Sequence, residues 1–107
     1  MKTMLLIAAT VALAVSLPLH AEGNYDAGKA KSTTCAGCHG PDGNSTVTSF
    51  PRLAGQHRDY LVQALHEYQA GKRTNPIMGA QAKTLSATDI DDLATYFSEQ
   101  KGLTLKY

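Results

Sequence analysis

Cys35-Ala36-Gly37-Cys38-His39 sets two thiols two residues apart and an imidazole directly after the second. C-x-x-C-H is the attachment pattern for c-type haem. Each thiol can add across one vinyl group of the same porphyrin, giving two thioether bonds. The adjacent histidine is then held under the iron and supplies a ring nitrogen as proximal ligand. The chemistry would then be that of the bound group, and the polypeptide would supply ligation, orientation and dielectric. Two other uses of the same residues stay open at this point. A C-x-x-C pair is also a redox dithiol, which calls for a βαβ pattern, and cysteine with histidine also binds zinc.

The pattern around the motif is helical. Asn24 is an N-cap candidate with Asp26 in the first turn, which predicts a helix from Tyr25 to about Thr34 running into the motif. Pro41-Asp42-Gly43 is turn chemistry, and residues 43–55 read as a loop. Leu61, Ala64, Leu65 and Tyr68 recur at i, i+3, i+4 and i+7, so a second helix is expected over about Asp59 to Ala70, stopped by Gly71. Lys72 to Gly79 reads as a loop carrying Pro76 and Met78, followed by a short helical turn over Ala80 to Lys83. In the last helix Ser86 and Asp89 make a capping-box pair, and Ile90, Leu93, Ala94 and Phe97 share a face up to Gly102. No alternating strand pattern and no repeat is present, so the βαβ unit that a dithiol catalyst needs is not in view.

Residues 1–21 read as an export signal. Lys2 precedes an uncharged apolar run from Met4 to Leu17, and Ala21 is a small residue at the expected cleavage point. The run is short for a span, which takes about 20 apolar residues; a retained anchor is the competing reading. The expected mature domain is residues 22–107, in the periplasm and without stable membrane insertion. Removing Lys2 leaves its basic residues equal in number to the nine acidic ones. A nucleic-acid role therefore has no electrostatic support. Met1 and Met4 depart with the signal, so Met78 is the one methionine left. A domain of this size has a marginal core by itself, and a buried porphyrin would enlarge it.

The chain resembles class I cytochromes c, in particular short bacterial types related to cytochrome c4 and cytochrome c553. The likeness rests on Ala27-Gly28-Lys29-Ala30-Lys31, on Cys38-His39-Gly40-Pro41-Asp42-Gly43-Asn44 and on Pro51-Arg52-Leu53-Ala54-Gly55-Gln56. Tyr60-Leu61, Gly71-Lys72-Arg73, Asn75-Pro76-Ile77-Met78 and Leu85-Ser86 through Asp92-Leu93-Ala94-Thr95-Tyr96-Phe97 add to it. The departure is that cytochrome c4 carries two such domains in tandem and this sequence carries one. The resemblance implies an all-α fold of three main helices and loops wrapped around one covalently bound haem c, tied by Cys35 and Cys38.

It also implies roles for other residues. His39 and Met78 are the axial iron ligands, and Met78, in its loop, would raise the reduction potential as a soft thioether. His57 and His66 remain the competing sixth ligands. Pro51 offers its carbonyl to the second nitrogen of His39, against a purely loop-shaping role. Leu53 packs on the proximal haem face or lies in a surface loop. Arg52, with Gln56 and Tyr60, holds the haem propionates or faces solvent. Gly28 and Tyr96 mark a close crossing of the first and last helices.

The implied function is a soluble periplasmic electron carrier rather than an enzyme, cycling Fe(III) and Fe(II) between redox proteins of a respiratory chain. A bc1-type complex is the implied donor, and a haem–copper oxidase, peroxidase or reductase the implied acceptor. An open-site haem protein is the rival class; cytochrome c′ carries its motif near the C-terminus, whereas here it lies near the expected mature N-terminus. Balanced charge predicts that docking depends only moderately on salt.

Overall fold

The structure is a computed structural model and describes residues 7–14 and 23–103. The expected export signal and its junction at Ala21-Glu22 lie largely outside the described residues.

Five helices and no strand are found among the described residues: α1 Tyr25–Lys31, α2 Thr33–His39, α3 Arg58–Gln69, α4 Pro76–Ala82 and α5 Ala87–Ser98. The all-α expectation holds, with two short helices beyond the three main ones. None is long and apolar enough to cross a membrane.

α5 is the central element, and Ile90, Leu93, Ala94, Tyr96 and Phe97 are buried along it. Its start is fixed by a reciprocal cap: Asp89 N–H donates to Ser86 Oγ at 3.0 Å, and Ser86 N–H donates to Asp89 Oδ2 at 3.0 Å. It ends at Ser98, short of the expected Gly102, because the chain turns there: Gly55 N–H reaches back to the Phe97 carbonyl and Leu103 N–H to Ala54.

α1 crosses α5 at Gly28. A side chain there would collide with the Asp92 carbonyl and stand 2.9 Å from Tyr96 Cβ, so the crossing needs hydrogen in place of Cβ. Tyr25 and Tyr96 pack with ring centroids 5.3 Å apart, and Tyr96 Oη donates to the Pro41 carbonyl at 2.8 Å. Lys31 closes the contact. Its ammonium lies 2.8 Å from Asp89 and 2.6 Å from Asp92, and Asp92 also accepts Asn24 N–H at 2.7 Å.

α3 packs its Leu61 and Ala64 face on α5, leaving His66 exposed as its angle on the helix predicts. Arg58 adds a bridge from α3 to Thr95 Oγ1 and Asp91 on α5.

Three boundaries differ from expectation in ways that matter for the site. α1 stops at Lys31, where Ser32 N–H is shared between the Gly28 and Lys29 carbonyls and its hydroxyl caps Lys29. A new helix then starts at Thr33, so the cysteine–histidine motif is itself helical. Met78 does not lie in a loop: it is in the first turn of α4, and the turn expected over Ala80 to Lys83 is the tail of that helix.

Candidate haem site

Because α2 is a helix, Cys35, Cys38 and His39 fall at i, i+3 and i+4 and share one face. That face forms one wall of a cavity of about 640 Å³, within the roughly 300–1,000 Å³ typical of cofactor pockets. α3 supplies Leu61, Ala64, Leu65 and Tyr68, α5 supplies Leu93, Ala94 and Phe97, and α4 supplies Met78.

His39 is buried, and its Nδ1 lies 2.8 Å from the Pro51 carbonyl. A carbonyl can only accept, so Nδ1 carries the proton and Nε2 is left as the basic nitrogen. The proline is itself held in place. Gly43, at φ +84°, offers its carbonyl to Leu53 N–H at 2.8 Å and Ala54 N–H at 3.2 Å. A Cβ at Gly43 would also meet Phe97 at 2.8 Å, so both its backbone angle and its space call for glycine. Phe50 packs edge-on to the His39 ring, with centroids 6.4 Å apart.

Met78 is half-buried, and its backbone is fixed by the α4 cap. Asn75 Oδ1 accepts N–H bonds from both Ile77 and Met78 at 3.0 Å, and Pro76 at the first helical position has no N–H to satisfy. His57 and His66 are both exposed and neither lines the cavity.

Leu53 lines the cavity and packs against the Leu61–Leu93–Phe97 core. Arg52, Gln56 and Tyr60 also line it, Arg52 and Tyr60 with much of their surface exposed. Two of the three use an acceptor oxygen and keep their donors for a carboxylate: Gln56 Oε1 accepts His57 N–H at 2.8 Å, and Tyr60 Oη accepts from Arg73 at 3.1 Å.

Arg73 stands in the Gly71-Lys72-Arg73 match, but the sequence reading gives it no role at the cavity. Its guanidinium lies over the Tyr60 ring at 5.6 Å and the Tyr68 ring at 5.3 Å. The Tyr60 hydroxyl pushes its pKa further up, and it stays charged. The pairing depends on the turn after α3, which folds Arg73 back over the tyrosines of that helix.

The lining fits a haem. One wall carries two thiols and an imidazole, α4 carries a thioether, and the walls between are apolar. Among the described residues, the charged groups in the lining are Lys31, Arg52 and Arg73, all cations. That sign suits a group whose own charges are carboxylates. Lys31 is tightly paired with Asp89 and Asp92 at 2.8 and 2.6 Å, and Glu67 lies 3.8 Å from Arg73, which leaves Arg52 and the more loosely paired Arg73.

The rival uses of the motif find less support. Burial pushes the Cys35 thiol up, and the neighbouring Cys38 adds to this, whereas a dithiol catalyst needs a depressed thiol. No group of three or more His, Cys, Asp or Glu side chains placed to hold a metal ion is found among the described residues.

Comparison with known proteins places the chain in a family. Residues 25–101 match the Cytochrome c family. Cytochrome c4 of Pseudomonas aeruginosa is 42% identical over 97 residues, covering 91% of this chain and 48% of that protein. Cytochrome c-554(548) of Halomonas halodenitrificans is 38% identical over 82 residues, covering 74% of this chain and 99% of that protein. The crystal structure of reduced recombinant cytochrome c4 from Pseudomonas stutzeri superimposes with a TM-score of 0.72 at 40% identity, over 76% of this chain and 47% of that one. The chain belongs to the cytochrome c family, and its fold is that of class I. It spans about half the length of the cytochrome c4 relatives it matches. Membership implies covalently bound haem c and a role in electron transfer.

Proposed function

We propose that residues 22–107 form an exported, single-haem electron carrier of the periplasm, acting between redox proteins of a respiratory chain and not as an enzyme. The observation that carries this reading is that the α2 motif and Met78, far apart in sequence, line one cavity with apolar walls.

Bound haem c supplies one-electron chemistry, its iron alternating between ferric and ferrous. The residues of the chain supply the rest. Cys35 and Cys38 tether the ring through thioethers. His39, held by Pro51, offers Nε2 in a fixed orientation. Met78 offers a soft, uncharged sulfur that favours the ferrous state. Both residues would hold the group from helices, α2 and α4, so the side chains around it would need little rearrangement. Leu53, Leu61, Ala64, Leu93 and Phe97 exclude water from the walls, and Arg52 and Arg73 hold the propionates. Tyr60 and Ile77, 47% and 56% exposed, both line the cavity and give its mouth an apolar face for a docking protein. A bc1-type donor and a haem–copper oxidase, peroxidase or reductase acceptor suit such a carrier.

Met78→Ala tests the reading. The variant keeps its covalent haem, loses the weak red absorption of a ferric-iron–thioether bond, binds azide at the iron and has a lowered reduction potential. An unchanged low-spin spectrum and potential would assign the sixth ligand elsewhere and sink the proposal. Intact mass checks the processing: residues 22–107 plus one haem are expected.

A further inference from the structure

Gln69 closes α3, and its side chain leaves that helix to serve the next two. Its amide nitrogen donates to the Ala82 carbonyl at 2.8 Å and to the Leu85 carbonyl at 2.7 Å. An amide NH₂ has two hydrogens, so both bonds form at once. Ala82 is the last residue of α4 and is fully buried; its carbonyl is one of those a helix end leaves without an intrahelical partner. Leu85 immediately precedes Ser86, the cap of α5. One side chain thus fastens α3 to the end of α4 and the entry to α5.

The attachment matters because α4 has little else. Among the described helices it packs on α3 alone. Its outer turn, from Pro76 to Ala80, is exposed or half-buried, and Ala82 is its one buried residue. Met78 lies four residues before Ala82, one turn away on the same face, and both line the haem cavity. Whatever fixes Ala82 on α3 therefore fixes the position of the Met78 thioether.

We propose that Gln69 is the positioning residue for Met78: its two hydrogen bonds seat α4 on α3 and so hold the sulfur at the iron. This rests on Met78 being the iron ligand. Gln69 itself touches neither the iron nor the haem in this role.

The experiment uses the haem-loaded protein with Gln69→Leu and Gln69→Glu. Both remove the donors; the glutamate also keeps the shape, so it separates donation from packing and decides the matter if Gln69→Leu does not accumulate. Expected are a weakened ferric-iron–thioether absorption and an azide affinity raised about thirtyfold, the factor that two lost hydrogen bonds of ordinary net strength predict. The covalent haem and the helical circular dichroism persist. Asn24→Ala, which removes the cap of α1 and does not touch α4, leaves absorption and azide affinity at wild-type values. Wild-type absorption and azide affinity in Gln69→Glu, with both altered in Met78→Ala, overturn the proposal alone. Equal changes in Asn24→Ala and the Gln69 variants also overturn it, since general loosening would then suffice. A wild-type protein without the thioether absorption, unaffected by Met78→Ala, removes the Met78 reading and this proposal together.

Discussion

Where α1 meets α5, a missing side chain, an ammonium between two carboxylates and a ring pair close the contact. Where α4 meets α3, the polar fastening is a single amide. The candidate iron ligands divide along the same line. His39 ends α2, which follows α1 almost without a break, and it is buried and hydrogen-bonded. Met78 is half-buried near the free end of α4. One candidate ligand therefore belongs to the rigid scaffold and the other to a lightly held arm. Stability and ligation should accordingly respond to different substitutions: damage at the crossing costs the whole fold, and damage at the arm costs the thioether first.

The largest effect should come from filling the crossing. In Gly28→Ala the new methyl meets the Asp92 carbonyl and Tyr96 Cβ, and neither can swing away as a flexible side chain could. Overpacking of this kind costs about 3 kcal/mol, against a helix-propensity gain of roughly 1 kcal/mol for alanine over glycine. A net loss of about 2 kcal/mol in denaturant unfolding is expected. The thioether absorption of the folded fraction should stay at its wild-type value. A variant that loses the absorption while keeping its stability would reverse the comparison.

Acid should act next, and again on the crossing. Lys31 holds the Asp89 carboxyl down at about 2, against an ordinary value of 3.8, with the Ser86 cap contributing. Asp92 is lowered by the same ammonium and by Asn24 N–H. A carboxyl depressed in the fold binds its proton more readily when unfolded. Its stabilisation is therefore present above pH 3.8 and is lost as pH falls through about 2. Lys31, raised above 10.5 by Asp89 and then Asp92, gives the opposite sign at the alkaline end. Thermal unfolding followed from pH 5 to pH 2 should show the midpoint falling most steeply below 3.8, and Asp89→Asn should flatten that fall. An equal slope in the variant would remove this pair from the account of acid stability.

What the sequence revealed follows the same division. In the crossing, the Ser86–Asp89 box and the apolar face of α5 carry local signatures and the resemblance supplies the Gly28–Tyr96 pairing, whereas the Lys31–Asp89–Asp92 cluster joins residues far apart in sequence and carries none. The haem motif was legible because its chemistry demands adjacent residues. The arm was misread in one instructive way. Asn75-Pro76 looks like loop punctuation, yet asparagine before proline is also an N-cap before a first helical position. The apolar periodicity that reveals a helix is missing over residues 76–82, because this short helix buries only Ala82. Arg73 and Gln69 escaped for a different reason. The partners of Arg73, Tyr60 and Tyr68, are set by how the turn after α3 folds back on that helix, and those of Gln69, Ala82 and Leu85, by how α4 packs on α3. No spacing rule within one element contains that information.

The smallest global effect, and the sharpest test of the division, should come from Asn75→Ala. Asn75 satisfies the first turn of α4 almost alone: its side chain serves Ile77 and Met78, its carbonyl accepts Gly79 N–H at 2.7 Å, and Pro76 needs no partner. Losing such a cap costs about 1 kcal/mol of helix stability. The cost falls on a seven-residue helix that packs on α3 alone, so it should appear as local opening rather than as global unfolding. Amide exchange should quicken across residues 77–80 and remain unchanged in α1 and α5. The thioether absorption should weaken on warming before the helical signal changes, whereas in the wild type the two fall together. Met78 leaves its place in that opening while His39, on the scaffold, keeps its own. If the absorption and the helical signal of Asn75→Ala are still lost at one temperature, α4 is as firmly joined as α1, and the contrast between arm and scaffold does not hold.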